Sequence, residues 1–343
     1  MKAVVIHAAN DLRVEQVEPV LAGPGEVEIR IRAGGICGSD LHYFQHGGFG
    51  AIRIREPLIP GHEIAGEVIA TGAGVTRLRA GDRVAVNPSR PCLQCRFCLA
   101  GTPRHCLDMR FLGSAMRTPH VQGGFRERLV CSEAQAVPLP DSLSFGLAAF
   151  AEPLSVCLHA AQQAGPLLGR SVLVTGTGPI GALAILVARH AGAREIVATD
   201  LAHAPLAVAR KIGADLAVNI AENPAGLDRF HADKGHFDVA FEASGSGAAL
   251  AAAIAAARPG ATIVQLGLGG DVSLPMNSLV AKEIQLKGTF RFDVEFEWAV
   301  ATLASGAIDV RPLLTETLPL DQAQRAFELA GDRGRAMKVQ LAI

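Results

Sequence analysis

Four cysteines with the spacing C-x2-C-x2-C-x7-C (Cys92, Cys95, Cys98 and Cys106) form the densest group of metal-binding side chains in the sequence. Four thiolates converging from one short loop make a closed tetrahedral zinc site with no open position. Such a site carries a formal charge of about −2, making it a poor Lewis acid suited to a structural role. C-x2-C-x2-C also opens iron–sulfur runs, but there the fourth cysteine usually follows sooner and precedes proline. Here His105 precedes Cys106 and Leu107 follows it. A nucleic-acid zinc ribbon would need two separated CxxC pairs, which are absent.

A second group can do different chemistry. The stretch GGICGSDLHY, Gly34–Tyr43, places a thiol (Cys37), a hydroxyl (Ser39), an acid (Asp40), an imidazole (His42) and a phenol (Tyr43) close together, and GHE follows at Gly61–Glu63. Glycines on either side of Cys37 let the backbone turn tightly, so this stretch reads as a flexible loop. Thiolate and imidazole are both common zinc ligands, so Cys37 and His62 are candidates for a second metal. Glu152 lies in an apolar run, Ala148-Ala149-Phe150-Ala151 before it and Pro153-Leu154 after it. An unpaired carboxylate there would be costly, and coordinating a metal is one way to remove that cost.

The third chemical feature is Gly176-Thr177-Gly178-Pro179-Ile180-Gly181, a G-x-G-x-x-G sequence. It follows the apolar run Ser171–Thr175 and opens a helical pattern, and Asp200 ends the next strand-like run, the context a dinucleotide fingerprint requires. The first glycine permits the turn, the second lets the backbone approach a pyrophosphate, and the third allows close helix packing. The helix N-terminus favours the phosphate charge. Asp200 would accept hydrogen bonds from ribose hydroxyls and repel a 2′-phosphate, so NAD is favoured, with NADP possible through His203 or Arg210. The expected cofactor-binding set is Gly176, Gly178, Pro179, Ile180, Gly181, Asp200 and Leu266.

The elements that must position these groups change character along the chain. In the first third, alternating runs at Val27–Arg32, Ile64–Ala70 and Arg83–Val86 are separated by Gly and Pro turns, which predicts a small antiparallel β barrel or sandwich. From Ser171 onward, strand-like runs (Ser171–Thr175, Glu195–Thr199, Phe237–Phe241, Thr262–Leu266) alternate with helical ones (Ala182–Ala191, Leu206–Ile212, Ala248–Ala257). That alternation predicts a parallel sheet covered on both faces. A helix at Glu295–Ser305 and a helix–strand pair at Gln322–Ala330 and Lys338–Ala342 close the chain.

Composition excludes some partners. The 343 residues suffice for two cores, and a net charge of −1 argues against nucleic acid or an anionic membrane surface. No signal-like segment or membrane-length apolar run is present, and seven cysteines is an odd count, so a cytoplasmic protein without disulfides is expected. Cys131 and Cys157 read as small core residues.

Taken together, GGICGSDLHY, GHE, NPSRPCLQCRFC (87–98), DMRFLGSAM (108–116), PHVQGGF (119–125), AEPLSV (151–156), TGTGPIG (175–181) and GTFRF (288–292) resemble the zinc-dependent medium-chain dehydrogenase/reductase family. The resemblance extends over essentially the whole chain and is strongest to the sorbitol dehydrogenase-like branch. It implies a GroES-like β-barrel catalytic domain (1–154), an inserted Rossmann doubly wound domain (155–290) and a C-terminal return to the first domain (291–343), with the active site between them. It implies two zinc ions per chain: a structural one on the four clustered cysteines and a catalytic one on Cys37, His62 and Glu152. Glu63 would be a ligand or a near neighbour. Zinc with Cys37⁻, neutral His62 and Glu152⁻ is formally neutral and keeps its Lewis acidity. A fourth anionic ligand would weaken it, so Glu63 is expected to bind only transiently or through water.

The activity implied is reversible, NAD-linked oxidation of a secondary alcohol, with Ser39 accepting the proton and relaying it through the cofactor ribose to His42. Tyr43, Phe111 and Arg291 are the expected substrate contacts. A sugar-acid substrate would place its carboxylate about 5–6 Å from the reacting oxygen, where a cation must sit. Arg291 is the first choice for that cation, with Arg110 and Arg117 as alternatives; a neutral polyol or vicinal diol would not need it. The family also implies a homotetramer or homodimer.

Overall fold

A computed structural model describes all residues, Met1–Ile343, and is built on two large sheets. The first is a seven-stranded sheet organised on the strand Glu26–Gly35. One edge of that strand pairs antiparallel with Glu63–Thr71, and the other pairs first with Arg128–Ser132 and then with Lys338–Ala342. The residues Val27, Ile29 and Ile31 are wholly buried, as the alternation in the sequence requires. Arg83–Val86 and Ala136–Pro138 continue the sheet beyond Glu63–Thr71, and Leu314–Pro319 lies beside the last strand. The chain's final strand therefore belongs to the sheet formed by its first third.

The second sheet is parallel throughout, in the order Leu216–Asn219, Glu195–Asp200, Ser171–Thr175, Phe237–Glu242, Ala257–Gln265, Gln285–Gly288. The order reverses direction on either side of Ser171–Thr175, the switch point at which open α/β sheets bind ligands. Val172, Leu173 and Val174 are buried on both sides because helices cover both faces. One face packs on Ala151–Ala164, Pro179–His190 and Glu295–Ala304, the other on Gly247–Ala256. The helix expected at Ala248–Ala257 ends one residue earlier: Ala257 is extended and begins the next strand, two residues ahead of Pro259.

The helix Ala151–Ala164 is unbroken across the expected 154/155 division. Its apolar side joins one continuous cluster that contains Val172, Val174 and Ile185 of the parallel-sheet half and also Ala65 and Ala85 of the first sheet. Burying a leucine such as Leu154 in that cluster contributes about 1.5–3 kcal/mol.

Candidate active site

The register of the first sheet brings Cys37, Glu63 and the C-terminal strand to one point. Gly35 is opposite Glu63 on one side and Gln340 on the other, so Cys37, two residues on, emerges beside both. Gly35 must lack a side chain, because a Cβ there would lie 2.2 Å from Glu63 Oε2. The segment that follows is not the flexible loop expected from its glycines. Gly38–His46 is an α-helix with Cys37 as N-cap and Gly47, at φ 67°, as the left-handed terminator. The Asp40 carboxylate explains the difference: in the third position of the helix it accepts the Cys37 backbone N–H at 3.0 Å, half of a capping box.

Cys37, His62 and Glu63 each place a ligand atom within 4.8 Å of the others. Asp40, wholly buried behind them, also accepts the Gly61 N–H at 3.2 Å, and its Oδ1 lies 3.6 Å from His62 Nδ1. Burial alone would push the His62 imidazole down, but Asp40, Cys37 and Glu152 hold it well above its ordinary value. Glu152 is buried beside the cluster on the Ala151–Ala164 helix. Burial pushes its carboxyl up to about 7, with Glu63 adding to the rise and His62 and Lys338 opposing it. Lys338 Nζ, itself buried, donates to Glu63 Oε1 at 2.6 Å and to the Ile36 carbonyl at 3.1 Å.

One buried atom here, His62 Nδ1, has no hydrogen-bond partner, whereas the Glu63 carboxylate is engaged by Lys338 Nζ at 2.6 Å. The thiol, imidazole and carboxylate of Cys37, His62 and Glu63 form a donor set that suits zinc, while Glu152, the ligand expected in place of Glu63, lies outside this group and is near enough to act on the charge of His62. These residues therefore fit the metal the fold family implies. Asp40 and Lys338 were not picked out from the sequence. Asp40 could have been found from the Cys37-x-x-Asp40 spacing, had cysteine been considered as an N-cap; nothing local marks Lys338.

The other residues expected at the site divide into several groups. Ser39 is half-buried in the first turn of the Cys37 helix and His42 is exposed one turn later. Tyr43 is buried with its hydroxyl accepting the Ala115 N–H at 3.0 Å, so that oxygen is already engaged within the protein. Phe111 lies against the cluster, its ring centre 5.4 Å from that of His62 with the planes tilted by 56°, and the Arg291 guanidinium lies 4.6 Å from the Phe111 ring centre. Burial lowers Arg291 to about 10, while Glu152 and Tyr43 favour its charge. Arg110 is exposed in a two-residue strand paired with Ser89–Arg90, and Arg117 is tied to the Leu107 and Met109 carbonyls and to Asp108. Of the three arginines considered, Arg291 is the one over Phe111.

The four clustered cysteines also converge, with their sulfur atoms within 4.8 Å of one another and Cys95 Sγ 3.6 Å from Cys98 Sγ. Backbone amides are aimed at these sulfurs: Cys92 N–H to Cys106 at 3.1 Å and Leu107 N–H to Cys95 at 3.5 Å. The Cys98 and Leu107 amides bring the Cys95 thiol down to about 6, while burial and hydrogen bonds with Cys95 and Cys106 push the Cys98 thiol up to about 12. Cys131 and Cys157 are buried and belong to the core clusters.

At the switch point, Gly176 adopts φ 80°, where a Cβ would meet Ser244, and a Cβ on Gly181 would lie 1.8 Å from the Gly176 carbonyl. Gly178, the N-cap of Pro179–His190, faces open space, so a phosphate could approach its backbone. Asp200 accepts the Thr177 N–H at 2.7 Å and the Leu201 N–H at 2.7 Å, which fixes it at the end of its strand. Leu266 follows the strand Ala257–Gln265, its N–H held by the Glu242 carbonyl.

Comparison with known proteins agrees with this arrangement. Residues 23–141 match the alcohol dehydrogenase GroES-like domain and residues 179–305 match the zinc-binding dehydrogenase domain. The chain is 43% identical to an Escherichia coli L-idonate 5-dehydrogenase (NAD(P)(+)), covering 91% of this chain and 90% of that one. It is 39% identical to the sorbitol dehydrogenase of Gallus gallus, covering 99% and 95%. The crystal structure of the Escherichia coli L-idonate 5-dehydrogenase superposes with a TM-score of 0.95 at 40% identity, covering all of this chain and 98% of that one. Matched over both halves, the chain belongs to the sorbitol dehydrogenase-like branch of the zinc-dependent medium-chain dehydrogenases and is an NAD(P)-linked alcohol or polyol dehydrogenase.

Proposed function

We propose that the protein interconverts L-idonate and 5-keto-D-gluconate, oxidising a secondary alcohol of the sugar acid with NAD. The observation that carries this reading is Arg291, a guanidinium seated over Phe111 beside the metal cluster, where a substrate carboxylate can be paired. The similarity to an L-idonate 5-dehydrogenase supports it. Cys37, His62 and Glu152 would hold the catalytic zinc with Glu63 as a close neighbour, and Cys92, Cys95, Cys98 and Cys106 the structural one. When bound, the catalytic zinc supplies Lewis acidity toward the substrate hydroxyl, and the nicotinamide supplies the hydride acceptor.

The chain's own residues then do three things. Arg291 orients the substrate by its carboxylate, with Phe111 as an apolar wall and Tyr43 fixing the floor. Ser39 takes the hydroxyl proton and passes it toward His42, whose exposure connects it to solvent. Partial burial of the ring, His46 and Arg333 hold the His42 imidazole below its ordinary value, which favours its neutral form. Asp200 reads the ribose hydroxyls and favours NAD over NADP.

A neutral polyol such as sorbitol or xylitol is the second reading, favoured by the 39% identity to a sorbitol dehydrogenase. Turnover of L-idonate and sorbitol, each with NAD and NADP, separates the two. The proposal expects kcat/KM for L-idonate at least about tenfold above sorbitol, with Arg291→Ala removing the difference. Equal or better turnover of sorbitol would sink it.

We also propose a homodimer or homotetramer acting in the cytoplasm. The strand Gln285–Gly288 is an open sheet edge, and Leu268, Met276, Val280 and Leu286 near it are exposed. Five of the seven cysteines belong to the two metal donor sets and Cys131 and Cys157 are buried in the core, a usage that suits a reducing compartment. Light scattering tests the assembly, and a monomer at micromolar concentration would contradict it.

A further inference from the structure

The segment that carries Arg291 into the site is held from both sides by the cysteine lobe. Arg291 has φ 55°, a left-handed conformation sparsely populated by residues with side chains, so its neighbours must fix it. On the N-terminal side, the Phe290 ring stacks on the His105 imidazole, with centroids 6.2 Å apart and planes 14° apart. On the C-terminal side, the Asp293 carboxylate accepts the Arg104 backbone N–H at 2.9 Å through one oxygen and the Arg104 guanidinium through the other. Each side chain of this pair is only 19% exposed, so solvent screens it less than a surface pair. Arg104 and His105 are neighbours in one 3-10 turn, Pro103–His105, ending at Cys106. A third tie anchors Asp293 from within: its N–H donates to Glu295 Oε2 at 2.8 Å, and Glu295 Oε1 meets His159 Nδ1 at 2.8 Å on the helix that also carries Glu152.

We infer that the Arg104–Asp293 pair positions Arg291 for substrate, so that the lobe with the four cysteines sets substrate affinity as well as local stability. A contact serving stability alone could sit anywhere on the domain boundary. This one and the His105–Phe290 stack fall on the two flanks of a strained residue, two positions after it and one before. The effect reaches substrate through Arg291, which makes Arg104 and Asp293 positioning residues. The inference rests on the reading of Arg291 as the carboxylate clamp.

The experiment uses the full-length zinc-loaded enzyme and the variants Arg291→Ala, Asp293→Asn, Arg104→Met, Arg104→Lys and Arg291→Ala/Asp293→Asn. KM and kcat are measured for L-idonate, sorbitol and NAD, together with Tm and amide exchange over 289–294. Asp293→Asn and Arg104→Met are expected to raise KM for L-idonate about tenfold while kcat, KM for NAD and KM for sorbitol stay within about twofold. Exchange over 289–294 should rise, Arg104→Lys should restore most of the affinity, and Asp293→Asn should add nothing once Arg291 is alanine. An unchanged KM for L-idonate in Asp293→Asn and Arg104→Met would overturn the inference while leaving Arg291 as the clamp. So would a parallel loss of Tm and of kcat on both substrates, which is the signature of a purely structural contact. If Arg291→Ala itself leaves KM for L-idonate unchanged, the substrate reading fails first and takes this inference with it.

Discussion

Lys338 Nζ lies 2.6 Å from the Glu63 carboxylate, and the two side chains are 3% and 1% exposed. One comes from the chain's last strand and the other from the strand opposite Gly35, so the sheet register alone makes the pair. Burial would push the Lys338 ammonium down, and Glu63, Cys37 and Glu152 together raise it above its ordinary value. A buried ion pair that loses one partner leaves an uncompensated charge, so Lys338→Met is expected to destabilise the fold by about 3–5 kcal/mol. The double variant Glu63→Gln/Lys338→Met should recover most of that loss, since neither charge remains. Urea melts of the three proteins check this, and a double variant no better than Lys338→Met would count against the pairing as the cause.

Asp40 touches the metal cluster only through other residues. It holds the Cys37 and Gly61 amides and faces the His62 ring, so it orients both the thiol and the imidazole. Asp40→Asn should therefore weaken zinc at this cluster by about 10–100-fold, as outer-shell substitutions do. Competition with a zinc-binding dye gives the affinity directly, and an unchanged value would show that Asp40 serves the helix cap alone.

The two donor sets lie on separate elements and predict separable metals. Plasma emission should find two zinc ions per chain in the native protein. Cys37→Ser and Cys98→Ser should each leave one, by emptying different sites. Only Cys98→Ser should also lower Tm, because the lobe has almost no buried apolar side chains of its own apart from Cys106. Loss of both ions from either variant would mean that the sites are coupled.

Acid should act on the His159–Glu295 pair. Burial favours the neutral Glu295 carboxyl, but the His159 ring and the Asp293 amide outweigh it and hold the group at about 2, against an ordinary value of 4.5. A carboxyl depressed in this way adds stability that is complete above about pH 4.5 and is lost as pH falls toward 2. The Tm difference between native protein and Glu295→Gln should thus be largest above pH 5 and close progressively as pH falls below 4.5. A gap independent of pH would assign the effect to packing.

Local chemistry and periodicity were readable along the chain, whereas the supports of the site were not. The cysteine spacing, the glycine loop with Asp200 and the strand runs Arg83–Val86, Ser171–Thr175 and Lys338–Ala342 are written in neighbouring residues. The Cys37 segment reads as a loop because its glycines dominate, and its helix becomes visible only when Asp40 is seen to cap Cys37. Lys338 with Glu63 and Arg104 with Asp293 are contacts across 275 and 189 residues, made by sheet register and lobe placement. No pattern in a window of ordinary length records them.

The unbroken helix Ala151–Ala164 has a consequence for how the enzyme can move. Glu152 is fixed to a rod packed mainly against the nucleotide-sheet half, although it also meets Ala65 and Ala85, whereas Cys37 and His62 belong to the barrel side. Any hinge rotation between the two halves must therefore change the spacing of Glu152 from the thiol and the imidazole. With Glu152 as the proposed third ligand, opening the molecule to release a dinucleotide would loosen one corner of the metal's coordination, and closing it would restore that corner.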